Sequence, residues 1–136
     1  MLITRRFRFA AAHRYYDEAL GLEENQRLFG PCASRHGHGH NYVLDVSVRG
    51  TIAPRTGMIV NLKDLKDVVQ EKVISRYDFK HLNFDMDDFR DTQPTCEAIA
   101  IRVWELLEGE IPGCELARVR VYESEDLFAD YEGESA

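Results

Sequence analysis

The sequence predicts one α+β domain spanning residues 1–136, with two strands, two helices and two further strands in that order. Apolar and polar residues alternate in two N-terminal stretches and again near the C-terminus, which is typical of strands that bury one face. Between them, two stretches carry apolar residues at helical spacing behind an N-cap residue. The chain has 136 residues, of which 44% are apolar, so it is large enough for one core but too small for two domains.

The first two strands are predicted at residues 3–13 and 38–48. The odd positions of the first strand form an apolar face that ends at His13, and the even positions of the second form one that begins with His38 and His40. The two strands can pair antiparallel, and His13 then lies beside the start of the second strand. The sequence therefore predicts that these three histidines meet at one end of the pair.

The connection at residues 14–35 is polar and acidic and shows no convincing periodicity. It contains Tyr15, Tyr16 and a turn at Phe29-Gly30-Pro31. We therefore expect a loop of roughly 22 residues, a length that in small domains is usually functional or mobile.

Two helices are predicted in the middle of the chain. Asn61 suits the N-cap of the first, with Asp64 in its first turn, and the helix ends near Tyr77. Thr95 suits the N-cap of the second, with Glu97 in its first turn, so a helix start is a sufficient structural account of both residues. The apolar stripes are Leu62, Leu65, Val69 and Val73 in the first helix and Ile99, Val103 and Leu106 in the second.

The last two strands are predicted at residues 116–123 and 127–131. Val119, Val121 and Glu123 share one face, so the carboxylate points toward an apolar region and needs a hydrogen-bond donor there. A planar ligand with an amino group beside a ring N–H would satisfy both oxygens. The alternative is that the strand has ended and that Glu123 is solvated.

The composition limits the classes of partner. The net charge of −7 argues against nucleic acid and an anionic membrane, because both attract basic surfaces. The three cysteines are odd in number and unevenly spaced, which suits reduced thiols in the cytoplasm better than a disulfide framework. Residues 1–8 have no continuous apolar stretch, so we expect no signal peptide, and no apolar run approaches the roughly eighteen residues of a membrane span.

Three histidines, His36, His38 and His40, lie close enough in sequence to indicate a metal site. Alternate residues of a strand lie about 6.6 Å apart, so His36 and His40 would be about 13 Å apart and could not both bind one ion. One of the three is therefore surplus, and a further ligand must come from elsewhere. With His13, the pair His38 and His40 would form the ligand set of a catalytic zinc with an open position, although imidazole also suits iron, nickel and copper. The alternative is that histidines at strand ends only cap a solvated edge.

Cys32 lies six residues before His38, so a turn can bring its thiol close to the metal. A nearby cation lowers the pKa of a thiol below its usual value of about 8.5 and so provides thiolate at neutral pH. Cys32 is therefore a candidate functional thiol. Cys96 and Cys114 are expected to be small buried side chains.

Together these motifs resemble the 6-pyruvoyl tetrahydropterin synthases and their relatives, the 6-carboxytetrahydropterin synthases. The resemblance covers nearly the whole chain. It is carried by Phe9-Ala10-Ala11-Ala12-His13, Cys32 with His38-Gly39-His40-Asn41-Tyr42, Thr56-Gly57-Met58 with Asn61-Leu62, Pro94-Thr95-Cys96-Glu97, Val121-Tyr122-Glu123 and Tyr131-Glu132-Gly133-Glu134. It implies the tunnelling fold (T-fold), in which a four-stranded antiparallel sheet with two helices on one face assembles into an oligomeric β-barrel. Members of the family are typically homohexamers with sites between subunits.

The resemblance also implies an activity and its residues. The implied zinc ligands are His13, His38 and His40. Cys32 would act as the base, and Glu123 would anchor the pterin with help from Thr95 and Glu97. The implied substrate is 7,8-dihydroneopterin triphosphate, which a carbon–oxygen lyase of this family converts to 6-pyruvoyl tetrahydropterin with elimination of triphosphate and without an external redox cofactor.

One position departs from the family pattern. The family usually has Asp-His after the first helix, a pair that supports the cysteine, whereas this chain has Asp78-Phe79. Phenylalanine cannot carry a proton, so His81 is the candidate replacement beside Asp78. His36 is a candidate neighbour that tunes the proton of Cys32. The alternative role for His81 is a structural hydrogen bond.

Three functions stay open at this point. The five-residue gap between Cys32 and His38 resembles the 6-pyruvoyl branch of the family. The 6-carboxy branch, which serves queuosine-type nucleoside biosynthesis, tends to have a three-residue gap, and Cys32 with His36 meets that as well. A folate-route variant has glutamate in place of the cysteine, so Cys32 argues against it. A non-catalytic zinc-binding or pterin-binding protein is the alternative that Phe79 suggests.

Overall fold

The computed structural model describes residues 1–134 and has the α+β class that the sequence predicts. The strands are β1 Leu2–His13, β2 His38–Arg49, β3 Lys80–His81, β4 Glu115–Ser124 and β5 Leu127–Tyr131, and the helices are α1 Leu22–Phe29, α2 Leu62–Val69 and α3 Cys96–Leu107. A short 3-10 helix, Gly30–Ala33, follows α1, while α2 continues through a π-helical turn, Gln70–Ile74, and a short helical turn, Ser75–Tyr77. Within residues 1–134, no helix has the length and apolar character to cross a bilayer.

The sheet has five strands in the order β3-β1-β2-β4-β5. The four predicted strands form antiparallel neighbours, but β3 pairs in parallel with β1, so the prediction of a four-stranded, wholly antiparallel sheet is wrong. The physical reason is the free edge of β1, whose backbone groups need partners. The N–H of Phe79 donates to the carbonyl of Ala10 at 2.6 Å, and the N–H of Leu82 donates to that of Ala12 at 2.8 Å.

The segment at residues 14–35 is not the irregular loop that the sequence predicts, because it contains α1 and the 3-10 helix. Leu28 on α1 is 64% exposed, whereas the polar Asn25 is fully buried. The Asn25 amide donates to the carbonyls of Asp17, Leu20 and Gly21 and accepts from the N–H of Asp17. A buried polar side chain thus organises this segment, and a hydrophobic pattern could not reveal it.

Both predicted helix starts are confirmed. The side chain of Asn61 accepts a hydrogen bond from the N–H of Lys63 at 2.9 Å, and that of Thr95 accepts from the N–H of Ala98 at 3.1 Å. These caps satisfy amide groups that have no partner within the helix.

The core lies between one face of the sheet and the helices. It includes Phe7, Phe9, Tyr42, Leu44, Val46, Leu65, Val69, Val73, Ile99, Val103, Leu107, Val119 and Val121. Because side chains alternate along a strand, His13, His38, His40 and Glu123 continue this same face at one end of β1, β2 and β4. The alternation that forms the core therefore also forms the candidate site.

Candidate functional site

Three imidazoles meet at the end of the β1–β2 pair. His13 is the register partner of His38, and Ala11 is that of His40, so the three rings lie together at one edge of the core face, each pair edge-on. Their centroids are 4.7 Å apart for His13 and His38, 5.0 Å for His13 and His40, and 4.8 Å for His38 and His40. The Nε2 atoms of His13 and His38 approach to 3.1 Å. The structure thus brings together the three histidines that the sequence singles out as ligands.

The backbone fixes the orientation of the His13 ring. Nδ1 of His13 lies 2.8 Å from the carbonyl of Pro94, which only accepts, so Nδ1 carries the proton and Nε2 carries the lone pair. Burial lowers the pKa of His13 to about 4; the Pro94 hydrogen bond opposes this effect, and the imidazoles of His38 and His40 add to it. His13 is therefore neutral near pH 7, which is the ligand form.

Glu123 completes the cluster. Its Oε1 lies 3.0 Å from Nε2 of His40 and 3.4 Å from Nε2 of His13, and one ligand atom from each of the four residues falls within 4.8 Å of all the others. Burial lowers the pKa of His40 while Glu123 acts to raise it. Nε2 of His40 is buried without a hydrogen bond of acceptable geometry, despite its distance to Glu123. Converging lone pairs and an unsatisfied buried nitrogen fit a divalent cation, so the donor set suits a metal ion.

Cys32 lies in the 3-10 helix Gly30–Ala33. Its backbone is bonded to Tyr15, and the Tyr15 ring contacts His13. The carbonyl of Cys32 accepts a hydrogen bond from the N–H of Tyr15 at 2.8 Å, and the Tyr15 ring stands edge-on to the His13 ring at 5.0 Å. Burial, and secondly the Glu123 carboxylate, raise the pKa of the Cys32 thiol. The lowered pKa that the sequence predicts therefore depends on the charge of a bound cation.

Asp78 and His81 lie along the outer edge of β1. Oδ1 of Asp78 accepts from the N–H of Ala10 at 2.9 Å, and both ring nitrogens of His81 have backbone partners. No hydrogen bond within residues 1–134 joins either side chain to Cys32. Phe79 between them is 86% exposed and has a positive φ of 60°.

The other predicted site residues surround the cluster. Thr95 and Glu97 begin α3 directly after Pro94, so the start of this helix faces the His13 ring. The Thr95 oxygen caps the helix, which leaves its own O–H hydrogen free to donate. His36 is exposed and lies outside the group of four ligand atoms, in agreement with the prediction that one histidine of the run is surplus.

Tyr42, Tyr15 and the Pro94 carbonyl also belong to the centre, although sequence reasoning did not assign them to it. Tyr42 shares the face of His38 and His40, so its parity was a usable signal, and its hydroxyl lies 3.2 Å from Nδ1 of His13. Tyr15 shares the parity of His13. No sequence signal identifies the Pro94 carbonyl, because its role depends on where α3 docks.

Two grooves border this region. One of about 510 Å³ is lined by His40, Asn41 and His81 among others. A larger groove of about 620 Å³ lies between Tyr16 and Arg90 and contains none of the four ligand residues. Of these two grooves, only the smaller one is lined by a residue of the cluster, His40.

Nearly the whole chain matches known proteins of one family. The model of the family described as 6-pyruvoyl tetrahydropterin synthase matches residues 2–134. The chain is 42% identical over 132 residues to the 6-pyruvoyl tetrahydrobiopterin synthase of Homo sapiens, covering 97% of this chain and 91% of that protein. It is 37% identical over 134 residues to the synthase of Dictyostelium discoideum, with 98% and 97% covered.

The fold agrees with these matches. The structure of the 6-pyruvoyl tetrahydropterin synthase of Caenorhabditis elegans superposes with a TM-score of 0.91 at 34% identity and covers 98% of this chain and 96% of that one. A Plasmodium vivax synthase shares the fold with a TM-score of 0.60 at 17% identity, over 96% and 97% of the two chains. A five-stranded mixed sheet with helices on one face fits the tunnelling fold. The chain belongs to the 6-pyruvoyl tetrahydropterin synthase family.

Proposed function

We propose that this protein is a zinc-dependent lyase that converts 7,8-dihydroneopterin triphosphate to 6-pyruvoyl tetrahydropterin and releases triphosphate. The observation that carries the proposal is the convergence of three imidazoles and one carboxylate in a chain that is 42% identical to a protein named 6-pyruvoyl tetrahydrobiopterin synthase. Enzymes named in this way among the relatives span nearly the full length of the chain. This supports the same reaction here.

His13, His38 and His40 would hold the zinc ion. When bound, zinc supplies Lewis-acid polarisation of substrate oxygens, which makes the neighbouring C–H groups more acidic. His13 contributes a neutral imidazole whose tautomer is set by the Pro94 carbonyl, and such outer hydrogen bonds orient a ligand ring. Burial of the centre excludes water from the side of the core.

Glu123 and Cys32 have separate tasks in this proposal. In this proposal Glu123 is not a zinc ligand: its carboxylate accepts hydrogen bonds from the pterin amino group and the adjacent ring N–H, which orients the ring at the imidazole cluster. Cys32 removes protons from the substrate side chain and returns them to the ring, so that the ring is reduced as the side chain is oxidised and triphosphate leaves. Burial and the Glu123 charge raise the pKa of the Cys32 thiol, and a cation held by the three histidines would favour its thiolate.

Incubation of the purified protein with zinc and 7,8-dihydroneopterin triphosphate, followed by mass spectrometry of the product, tests the proposal. We expect the 6-pyruvoyl product and free triphosphate. The 6-carboxy product would instead assign the protein to the other branch of the family. Zinc binding without turnover would make it a non-catalytic zinc-binding or pterin-binding protein.

The role of Cys32 is tested by Cys32→Ala, with Cys114→Ala as the matched control. Both thiols are partly buried and unpaired, but only Cys32 has Glu123 among the groups that raise its thiol pKa. We expect Cys32→Ala to keep zinc and lose turnover, whereas Cys114→Ala keeps both. Full activity of Cys32→Ala would refute its assignment as the base.

We also propose that the chain forms a homo-oligomer, and the family resemblance suggests a hexamer. Support comes from the outer strand β5, where Leu127 is 50% exposed and Phe128 is 46% exposed, and which has no further strand beside it among residues 1–134. A cytoplasmic location is proposed from the three unpaired cysteines. Light scattering of the purified protein measures the subunit number, and a monomeric mass would refute the oligomer.

A further inference from the structure

We infer that His81 and Asn83 are positioning residues that hold the backbone on both sides of the metal centre, and that His81 is not a proton carrier. This inference rests on the metal centre proposed above. It concerns the turn at residues 81–85, which follows β3 and runs along the edge of β1.

Every polar group of His81 has a partner. Its N–H donates to Oδ2 of Asp85 at 2.7 Å, and its carbonyl accepts from the N–H of Asp85 at 2.9 Å. Nδ1 of the ring accepts from the N–H of Asn83 at 3.2 Å, and Nε2 lies 3.0 Å from the carbonyl of His36. Because an amide N–H only donates and a carbonyl only accepts, Nε2 of the ring acts as the donor and Nδ1 as the acceptor. A proton relay at His81 would have to break one of these bonds.

The His81 ring is also fixed by packing. It stacks on the ring of Phe84 at 4.2 Å with an interplanar angle of 27°. Gly37 lies close to its Nε2 edge: a Cβ at Gly37 would lie 3.1 Å from Nε2 of His81 and 2.3 Å from the carbonyl oxygen of His13. The imidazole therefore fills a defined space between the turn at 81–85 and the backbone that leads into β2.

Asn83 holds the other side of the centre. Its Oδ1 accepts from the N–H of Arg14, and its Nδ2 donates to the carbonyl of Arg14, both at 2.9 Å. Arg14 follows His13 directly, and His36 precedes His38 by two residues. One turn therefore holds the chain next to one ligand from each of the two paired strands.

The consequence is that one turn restrains the backbone beside two of the three proposed ligands. His38 follows a glycine with a φ of +80° at position 37, so the backbone before it would otherwise be free to reorient. Outer-shell groups that hold ligands typically change metal affinity by about 10–100-fold when removed. His81 acts through the backbone beside His38, so we expect an effect of about 10-fold.

The test measures zinc affinity by competition with a chromophoric chelator and records the visible spectrum of the cobalt-substituted protein. His81→Phe keeps the ring stack but loses both ring hydrogen bonds, whereas His81→Gln can still donate to the His36 carbonyl. We expect His81→Phe to weaken zinc binding about 10-fold and to alter the cobalt spectrum, and His81→Gln to stay within about threefold of wild type.

Two controls separate positioning from general destabilisation. Asn61→Ala removes the cap of α2 and so destabilises the fold away from the metal centre, and it should leave zinc affinity unchanged. Lys80 is the exposed neighbour of His81 and makes no ion pair in the described part of the chain. Lys80→Ala should therefore also bind zinc normally.

Each outcome decides the inference. Wild-type affinity in a folded His81→Phe variant would overturn it while leaving the metal centre intact, whereas a wild type that binds no zinc would refute the metal centre itself. Loss of turnover in His81→Gln with normal zinc binding would restore the relay role. If His81→Phe does not fold, Asn83→Asp removes the donor to the Arg14 carbonyl, and unchanged affinity in that variant would equally overturn the inference.

Discussion

At the scale of single residues, the candidate site depends on close approaches that tolerate little change. His13 is fully buried, and its two ring nitrogens have different tasks: one is bonded to a carbonyl, and the other is aimed at the neighbouring imidazoles. Gly37 is the residue whose lack of a side chain allows this arrangement, since the backbone of His13 occupies the space of its missing Cβ.

Gly37→Ala should therefore cost much more stability than an ordinary glycine substitution. Gly37 has a φ of +80° and no room for a Cβ, whereas Gly57 has a φ of +72° and open space around it. We expect Gly57→Ala to cost about 1 kcal/mol from the left-handed backbone alone, and Gly37→Ala to cost about 3 kcal/mol or more because the His13 backbone must also move. Urea unfolding of both variants at one protein concentration measures the difference, and equal costs would contradict the close approach.

At the scale of elements, side chains at helix ends connect the helices to the sheet and to each other. Asp88, whose side chain is 2% exposed, binds Arg76 and the Tyr77 hydroxyl at the end of the α2 region and Arg102 on α3. Thr95 begins α3 beside the ring of His13. These connections determine where the N-terminus of α3, and hence the Pro94 carbonyl, lies.

Asp88→Asn should lower stability in a pH-dependent way. Burial acts to raise the pKa of Asp88, but the hydrogen bonds from Arg76 and Tyr77 outweigh it, so the pKa lies below its ordinary value. A lowered carboxyl pKa contributes stability above the unfolded-state value of about 3.9, and this contribution is lost as pH falls through the folded-state pKa.

We expect Asp88→Asn to cost about 2 kcal/mol near pH 7, since Arg76 and Arg102 remain accessible to water, and to cost progressively less below about pH 4. Unfolding of the wild type and of Asp88→Asn across this pH range measures the difference between their free energies of unfolding. A difference that stays constant with pH would show that the charge of Asp88 does not contribute to stability.

Thr95→Ala and Asn61→Ala form a matched pair of cap deletions. Each side chain accepts one hydrogen bond at its helix start, so each deletion should cost about 1 kcal/mol. Only Thr95 lies beside the candidate site with a free O–H hydrogen, so only Thr95→Ala should also raise the KM for the pterin substrate. Thr95→Ser should restore both properties, and an unchanged KM in Thr95→Ala would limit Thr95 to its cap.

At the scale of the whole molecule, metal binding and folding are coupled because the ligands come from strands that meet only in the folded chain. At a free zinc concentration about 100 times Kd, binding stabilises the folded state by about 2.7 kcal/mol, or about 10 °C in Tm for a domain of this size. Zinc should therefore raise the Tm of the wild type, and a chelator should reverse the increase.

His36→Ala and His38→Ala test which histidines are responsible for the zinc-dependent increase in Tm. His36 is exposed and outside the cluster, so its removal should preserve the zinc-dependent increase in Tm, whereas removal of His38 should abolish it. Differential scanning calorimetry with and without zinc measures both. The opposite pattern, with His36 required and His38 dispensable, would refute the ligand assignment.

Much of this molecule could be predicted from local patterns in the sequence. The period-two stretches located every end of β1, β2, β4 and β5 to within one residue. Asn61 and Thr95 located the helix starts. The same parity predicted that His13 would meet His38 and His40, and strand geometry predicted that one histidine of the run would be surplus. These predictions succeeded because successive side chains of a strand point to opposite faces, a property of the strand itself that does not depend on distant parts of the chain.

Tertiary structure decided the rest, because the remaining contacts join groups that are far apart in sequence. The Pro94 carbonyl that orients His13 lies 81 residues away, and the partners of Asp78 and His81 lie 68 and 45 residues away. The sequence by itself determined four of the strands, two of the helices and the meeting of the three imidazoles. Only the folded chain decided that Glu123 joins them, that β3 covers the edge of β1, and that His81 holds backbone, since docking of whole elements determines these contacts.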